Sequence, residues 1–216
     1  MKQSILIVSH CFFNDSAKLR NPNSIEQAEE RKQKRLFLKQ QLDNGVELIQ
    51  LPCPEFLLYG SNRWGHAASQ FDTPYFRQAA RDMLSPIVLQ LEEYLTYPNR
   101  FEIIGIIGID GSPSCGIDFT YDGDWGGDFS QNANLSHTLH TLKKEHKAGI
   151  FMDVLKEMLR EKHLPIKFYS LETFPQKSPT TSCDASLVDI PIYGNTKSSN
   201  RSTSQSTQDG DGLRLL

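Results

Sequence analysis

Three times in this chain a short apolar run stops at a cysteine. Residues 4–9 (SILIVS) lead straight into His10-Cys11, and residues 46–51 (VELIQL) into Pro52-Cys53-Pro54-Glu55. Residues 101–109 (FEIIGIIGI) lead into Asp110-Gly111-Ser112-Pro113-Ser114-Cys115-Gly116. Short apolar runs bounded by Gly, Pro and Asn are the mark of strands buried in a sheet. A turn of small residues after such a strand lifts a side chain to the carboxyl end of the sheet, where open α/β folds bind their ligands. The pattern asks for a fold that brings these strand ends together.

The segments between the runs are helical. Ser24 with Gln27 reads as a capping box that opens a helix to about Leu42, stopped by Asp43-Asn44-Gly45. Thr73-Pro74 opens a second helix with proline in its first turn, and Pro86 is expected to kink it. Ile150, Phe151, Val154, Leu155, Met158 and Leu159 fall at helical spacing, and Pro165 precedes a fourth apolar run at residues 166–171. Residues 117–147, rich in Gly, Asp, Asn and His, read as irregular. Strands alternating with helices imply right-handed crossovers. The expected fold is a three-layer, Rossmann-like α/β domain, with a mostly parallel sheet of four to five strands and helices on both faces. With strand order 2-1-3-4, the ends carrying Cys11, Cys53 and Cys115 are neighbours.

The 216 residues suffice for one such domain, expected over residues 1–175. Residues 176–216 turn to Ser, Thr, Gln, Asn and Gly, a composition expected to be disordered. A net charge of -3 gives no overall pull toward nucleic acid or membrane. A partner as large as tRNA would need a local basic surface, which nothing in the charge pattern indicates. The N-terminal apolar run is too short for a signal peptide or a membrane span, so the protein is read as cytoplasmic. In that reducing compartment Cys11, Cys53, Cys115 and Cys183 read as metal-binding, catalytic or inert rather than disulfide-paired.

Three converging thiols without a fourth suit a centre with one open position. Zinc held by thiolates with help from His10 meets that description. So does a cubane iron–sulfur cluster on three thiolates, and the residues alone leave the two level. Arg63, Trp64 and His66, in the loop after Cys53, offer polar contacts and a stacking surface for a base. The basic run at residues 30–35 reads as a solvated helix face, and the aspartates of residues 118–128 lack the spacing of a calcium loop.

His10-Cys11, Leu51-Pro52-Cys53-Pro54-Glu55 and Gly111-Ser112-Pro113-Ser114-Cys115-Gly116, in this order, resemble the 2-thiouracil desulfurase (desulfidase) family over about residues 3–171. The resemblance implies a [4Fe-4S] cluster on Cys11, Cys53 and Cys115 with one iron free of protein ligands. It also implies catalytic roles for Glu55 and Ser112, with Ser114 as the alternative serine. The implied reaction replaces C=S by C=O in a thiolated nucleobase or nucleoside such as 2-thiouracil or a thiouridine and releases hydrosulfide. The chain departs from the family at Cys11-Phe12-Phe13-Asn14 and Lys18-Leu19-Arg20, which marks a divergent branch. A thiolate-zinc hydrolase and a non-catalytic iron–sulfur or nucleotide-binding module are the alternatives.

Overall fold

In the computed structural model, which describes residues 2–20, 23–128, 130 and 132–175, the three apolar runs that end at cysteines form adjacent strands of a parallel sheet. The chain begins with β1 (Gln3–Val8), α1 (His10–Phe13), a 3-10 turn (Asp15–Ala17), α2 (Ser24–Asp43) and β2 (Val46–Gln50). It continues through α3 (Pro54–Tyr59), α4 (Ala68–Phe71), α5 (Pro74–Thr96) and β3 (Phe101–Ile107). Then come β4 (Thr120–Asp122), α6 (Leu135–His140), β5 (Lys143–Glu145), α7 (Ile150–Glu161) and β6 (Phe168–Tyr169). The chain divides between Gln176 and Lys177. The second unit, on which the expectation of a disordered tail and Cys183 fall, lies outside the described residues.

The sheet has the order β2-β1-β3-β6 and is parallel throughout. Central β1 pairs Ser4–Val8 with Val46–Gln50 on one side, and Gln3–Val8 with Phe101–Ile107 on the other, with a register shift between Ile5 and Leu6. Successive side chains on a strand point to opposite faces, so each face builds its own core. Ile5, Ile7 and Ile106 pack under α5 and α7 with Phe76, Leu84, Val88, Leu91, Phe151 and Leu155. Leu6, Val8 and Ile107 pack under α2 with Phe37, Leu38, Phe12 and Phe174. Each such side chain, once fully buried, contributes about 1.5–3 kcal/mol of transfer free energy. This is the three-layer arrangement the sequence implies.

The differences are local. The cap of α2 is Asn23, whose Oδ1 accepts from the Glu26 amide at 3.2 Å, one residue before the expected Ser24. Helix α5 runs unbroken through Pro86, which lies on the exposed side. The fourth strand is only two residues long, and β3 ends at Ile107, which lengthens the loop to Cys115. The described residues of the 117–149 stretch are more ordered than their composition suggests. Strands β4 and β5 pair antiparallel, Asp122 Oδ1 accepts from the Ser69 amide at 3.1 Å, and Trp125 Nε1 donates to the Gly65 carbonyl at 3.1 Å. Among the described residues no helix is long and apolar enough to cross a membrane.

Candidate active site

All three cysteine-bearing junctions leave the same edge of the sheet. Cys11 lies in the first turn of α1, directly beyond β1. Cys53 is the N-cap of α3, and its sulfur accepts from the Phe56 amide at 3.4 Å, while Pro54 occupies the first turn where no amide hydrogen is missed. Cys115 sits in a loop pinned from two sides. The amide of Ile109 donates to its carbonyl at 2.9 Å, and the first turn of α7 donates from Ile150 to Pro113 at 3.0 Å and from Met152 to Ser114 at 3.2 Å. A methyl group on Gly108 would stand 2.3 Å from the Cys115 carbonyl oxygen, and one on Gly149 2.5 Å from the Ser114 carbonyl carbon. Glycine is required where backbones approach this closely.

The thiols are electrostatically coupled. Cys11 and Cys53 are hydrogen bonded to one another, which raises the pKa of Cys11 and lowers that of Cys53. Burial adds to the rise at Cys11, with the charge of Cys115 behind it. Burial, with the nearby charge of Glu55 behind it, pushes Cys115 up to about 12. Among the described residues no group of three or more His, Cys, Asp or Glu side chains closes around a single ion. The donor chemistry nevertheless fits an iron–sulfur centre: two buried thiols and one half-buried, met by an amide at Cys53 and a hydroxyl at Cys115.

Beside the thiols runs a chain of hydrogen bonds. Glu55, in the first turn of α3, accepts from Ser114 Oγ at 2.6 Å through Oε1 and from Arg63 Nε at 3.2 Å through Oε2. Ser114 Oγ lies 3.2 Å from Ser112 Oγ and 3.5 Å from Cys115 Sγ. Ser112 Oγ in turn accepts from the amides of Cys115 at 3.0 Å and Ser114 at 3.4 Å. Its hydroxyl hydrogen is therefore left for Ser114, whose own hydrogen goes to the nearest acceptor, Glu55. Ser114 is 1% exposed, so this link is closed to bulk water.

Arg63 stands between Glu55 and a surface cavity that it helps to line. Its side chain is 3% exposed, and besides Glu55 it donates to the Gly60 carbonyl at 3.0 Å and the Ala17 carbonyl at 2.7 Å. The guanidinium thereby joins the segment after Cys11 to the helix after Cys53. Trp64 is 77% exposed and lines a cavity of about 480 Å³ with Leu19, Arg20, Asn62, Arg63 and Gly65. His66 packs at a tilt against Tyr59 and Phe71, which stack on each other, and burial lowers its pKa. His10 is hydrogen bonded through Nδ1 to Gln50. Three further contributors carried no sequence signal of their own. These are Ser9, which donates to the Ile107 carbonyl at 3.1 Å, Thr120, which donates to the Ser112 carbonyl at 3.0 Å, and Gly149.

One curated relative aligns with this chain. The uncharacterized protein MJ0003 of Methanocaldococcus jannaschii is 34% identical over 113 residues, covering 52% of this chain and 67% of the relative. The chain belongs to the family of that archaeal protein. No family model and no solved structure matches it.

Proposed function

We propose that this protein is an iron–sulfur-dependent desulfurase of a thiolated pyrimidine base or nucleoside. The observation that carries the reading is the convergence of Cys11, Cys53 and Cys115 beside the Ser112–Ser114–Glu55 hydrogen-bond chain. The motif resemblance to the 2-thiouracil desulfurases supports it. Cys11, Cys53 and Cys115 would hold a [4Fe-4S] cluster, which when bound supplies a Lewis-acidic iron able to take a soft thiocarbonyl sulfur.

The chain's own groups do the remaining work. Glu55 accepts a proton from the water that adds to the thiocarbonyl carbon. Ser114 and Arg63 each hold one oxygen of that carboxylate, so its plane is set before substrate arrives. Ser112 steadies Ser114. The cavity beside Arg63, with Trp64 on its wall, offers a face against which a pyrimidine ring stacks. In the balance C=S plus H2O gives C=O plus hydrosulfide and a proton, with no net redox.

Anaerobic reconstitution with iron and sulfide tests the reading. The wild type should show the visible charge-transfer absorption of a thiolate-held cluster and release sulfide from 2-thiouracil or 2-thiouridine. The variant with Cys11, Cys53 and Cys115 all changed to Ala should do neither. Retention of zinc in place of iron would remove the mechanism.

A further inference from the structure

The three thiols are not equivalent. Cys11 and Cys53 extend from adjacent parallel strands paired at Val8 and Gln50, each cysteine three residues beyond its half of that pair. Neighbouring strands lie about 4.8 Å apart, so the strand ends that carry the two cysteines start within the Cα separation of about 4.4–6.8 Å that a disulfide spans. Cys115 comes from the far side of β1, at the end of a longer loop, with its sulfur 3.5 Å from Ser114 Oγ. The loop's backbone is bonded to Ile109 and to the first turn of α7, which fixes the position of Cys115.

We infer that Cys11 and Cys53 of the cluster-free chain are a disulfide-forming pair, and that this bond governs loading of the site. The oxidant is a low-molecular-weight disulfide of the glutathione class. One thiol of the pair exchanges first and forms a mixed disulfide, releasing one glutathione thiol. The other then attacks that protein sulfur and expels the second. Two protein thiols are oxidised to one disulfide, one glutathione disulfide is reduced to two thiols, and both protons leave with the glutathione. Two of the three cluster ligands are thereby withdrawn until a reductant restores them. The pairing rests on geometry alone, whereas the gating rests on the cluster reading above.

The test uses the full-length, cluster-free chain carrying Cys183→Ala, which removes the fourth thiol. After incubation with oxidised glutathione, the protein is alkylated under denaturing conditions, digested, and mapped by mass spectrometry. Linked peptides should join Cys11 to Cys53, with Cys115 recovered as the alkylated thiol. Cys115→Ser should leave that link intact, and Cys11→Ser or Cys53→Ser should stop at a glutathione adduct on the remaining thiol of the pair. Iron uptake by the oxidised protein should fall at least tenfold against the reduced protein and return with dithiothreitol. A link involving Cys115, or no link at all, overturns the pairing. Equal iron uptake by both forms overturns the gate. If the reduced protein itself takes up no iron, the cluster reading fails and the gate with it, while the linked peptides still decide the pairing.

Discussion

Ser112 accepts two amide hydrogens and has one place left to send its own. That local fact orders the chain Ser112 to Ser114 to Glu55, and it separates the roles of the two serines. On the proposed function, Glu55→Gln keeps the shape but loses the proton acceptor, so sulfide release should fall by about 10²–10⁴ with iron content unchanged. Ser114→Ala frees one Glu55 oxygen and should lower kcat more than it raises KM. Arg63→Lys cannot reproduce three bonds from a planar fork, and the same kcat-weighted loss is expected, measured by steady-state sulfide release. Gly149→Ala puts a methyl group against backbone atoms of Ser114 and Cys115, and overpacking there should cost about 1–3 kcal/mol in a denaturant titration. The cysteines, Glu55 and the serines were legible because each follows directly on an apolar run. The burial of Arg63 was not, because its partners are the carbonyls of Ala17 and Gly60, and carbonyls leave no trace in residue type.

Among the elements, the strands and long helices could be read because their apolar periodicity is set by burial on two faces of a sheet. Caps were readable where the side chain decides them: Thr73 Oγ1 accepts from the Phe76 amide at 3.2 Å, as the Thr-Pro pair suggests. Thr73→Ala should cost about 1 kcal/mol in thermal or denaturant unfolding. Around Asn23-Ser24 two good capping residues stand side by side, and composition could not choose between them. The β4–β5 pair escaped the reading because Thr120–Asp122 and Lys143–Glu145 are short and mostly polar, held by the backbone ladder and by salt and amide contacts. Asp122 is the hinge of those contacts. Burial works against its charge, but the Lys147 ammonium, Ser69 and the Gly123 amide outweigh burial and hold its carboxyl at about 2. Its unfolded value is about 3.9. The stabilisation is therefore fully present above about pH 4 and is lost as pH falls through about 2. Asp122→Asn should lower stability at neutral pH by about 1 kcal/mol, allowing for solvent screening, and flatten the acid limb in that window of a pH-dependent melting series.

For the whole molecule, the two cores differ in how they are closed. Helices α5 and α7 seal one face, tied together at their surfaces by Arg77 and Arg81 to Asp153, Glu157 and Glu161. The other face has α2 and, at its margin, Phe174, whose ring meets Phe37 at 5.2 Å and Tyr169 at 5.5 Å, both edge-on. Phe174→Ala should destabilise the fold by about 3–5 kcal/mol, read from the denaturant midpoint, although the residue lies far along the chain from the thiols.

The placement of β1 between β2 and β3 also has a bearing on timing. During synthesis Cys11 and Cys53 leave the ribosome with their two strands free to pair, while Cys115 follows roughly sixty residues later. At about 5–20 residues per second that interval is several seconds. A nascent chain therefore passes through a stage at which two of its thiols have emerged and the third has yet to follow.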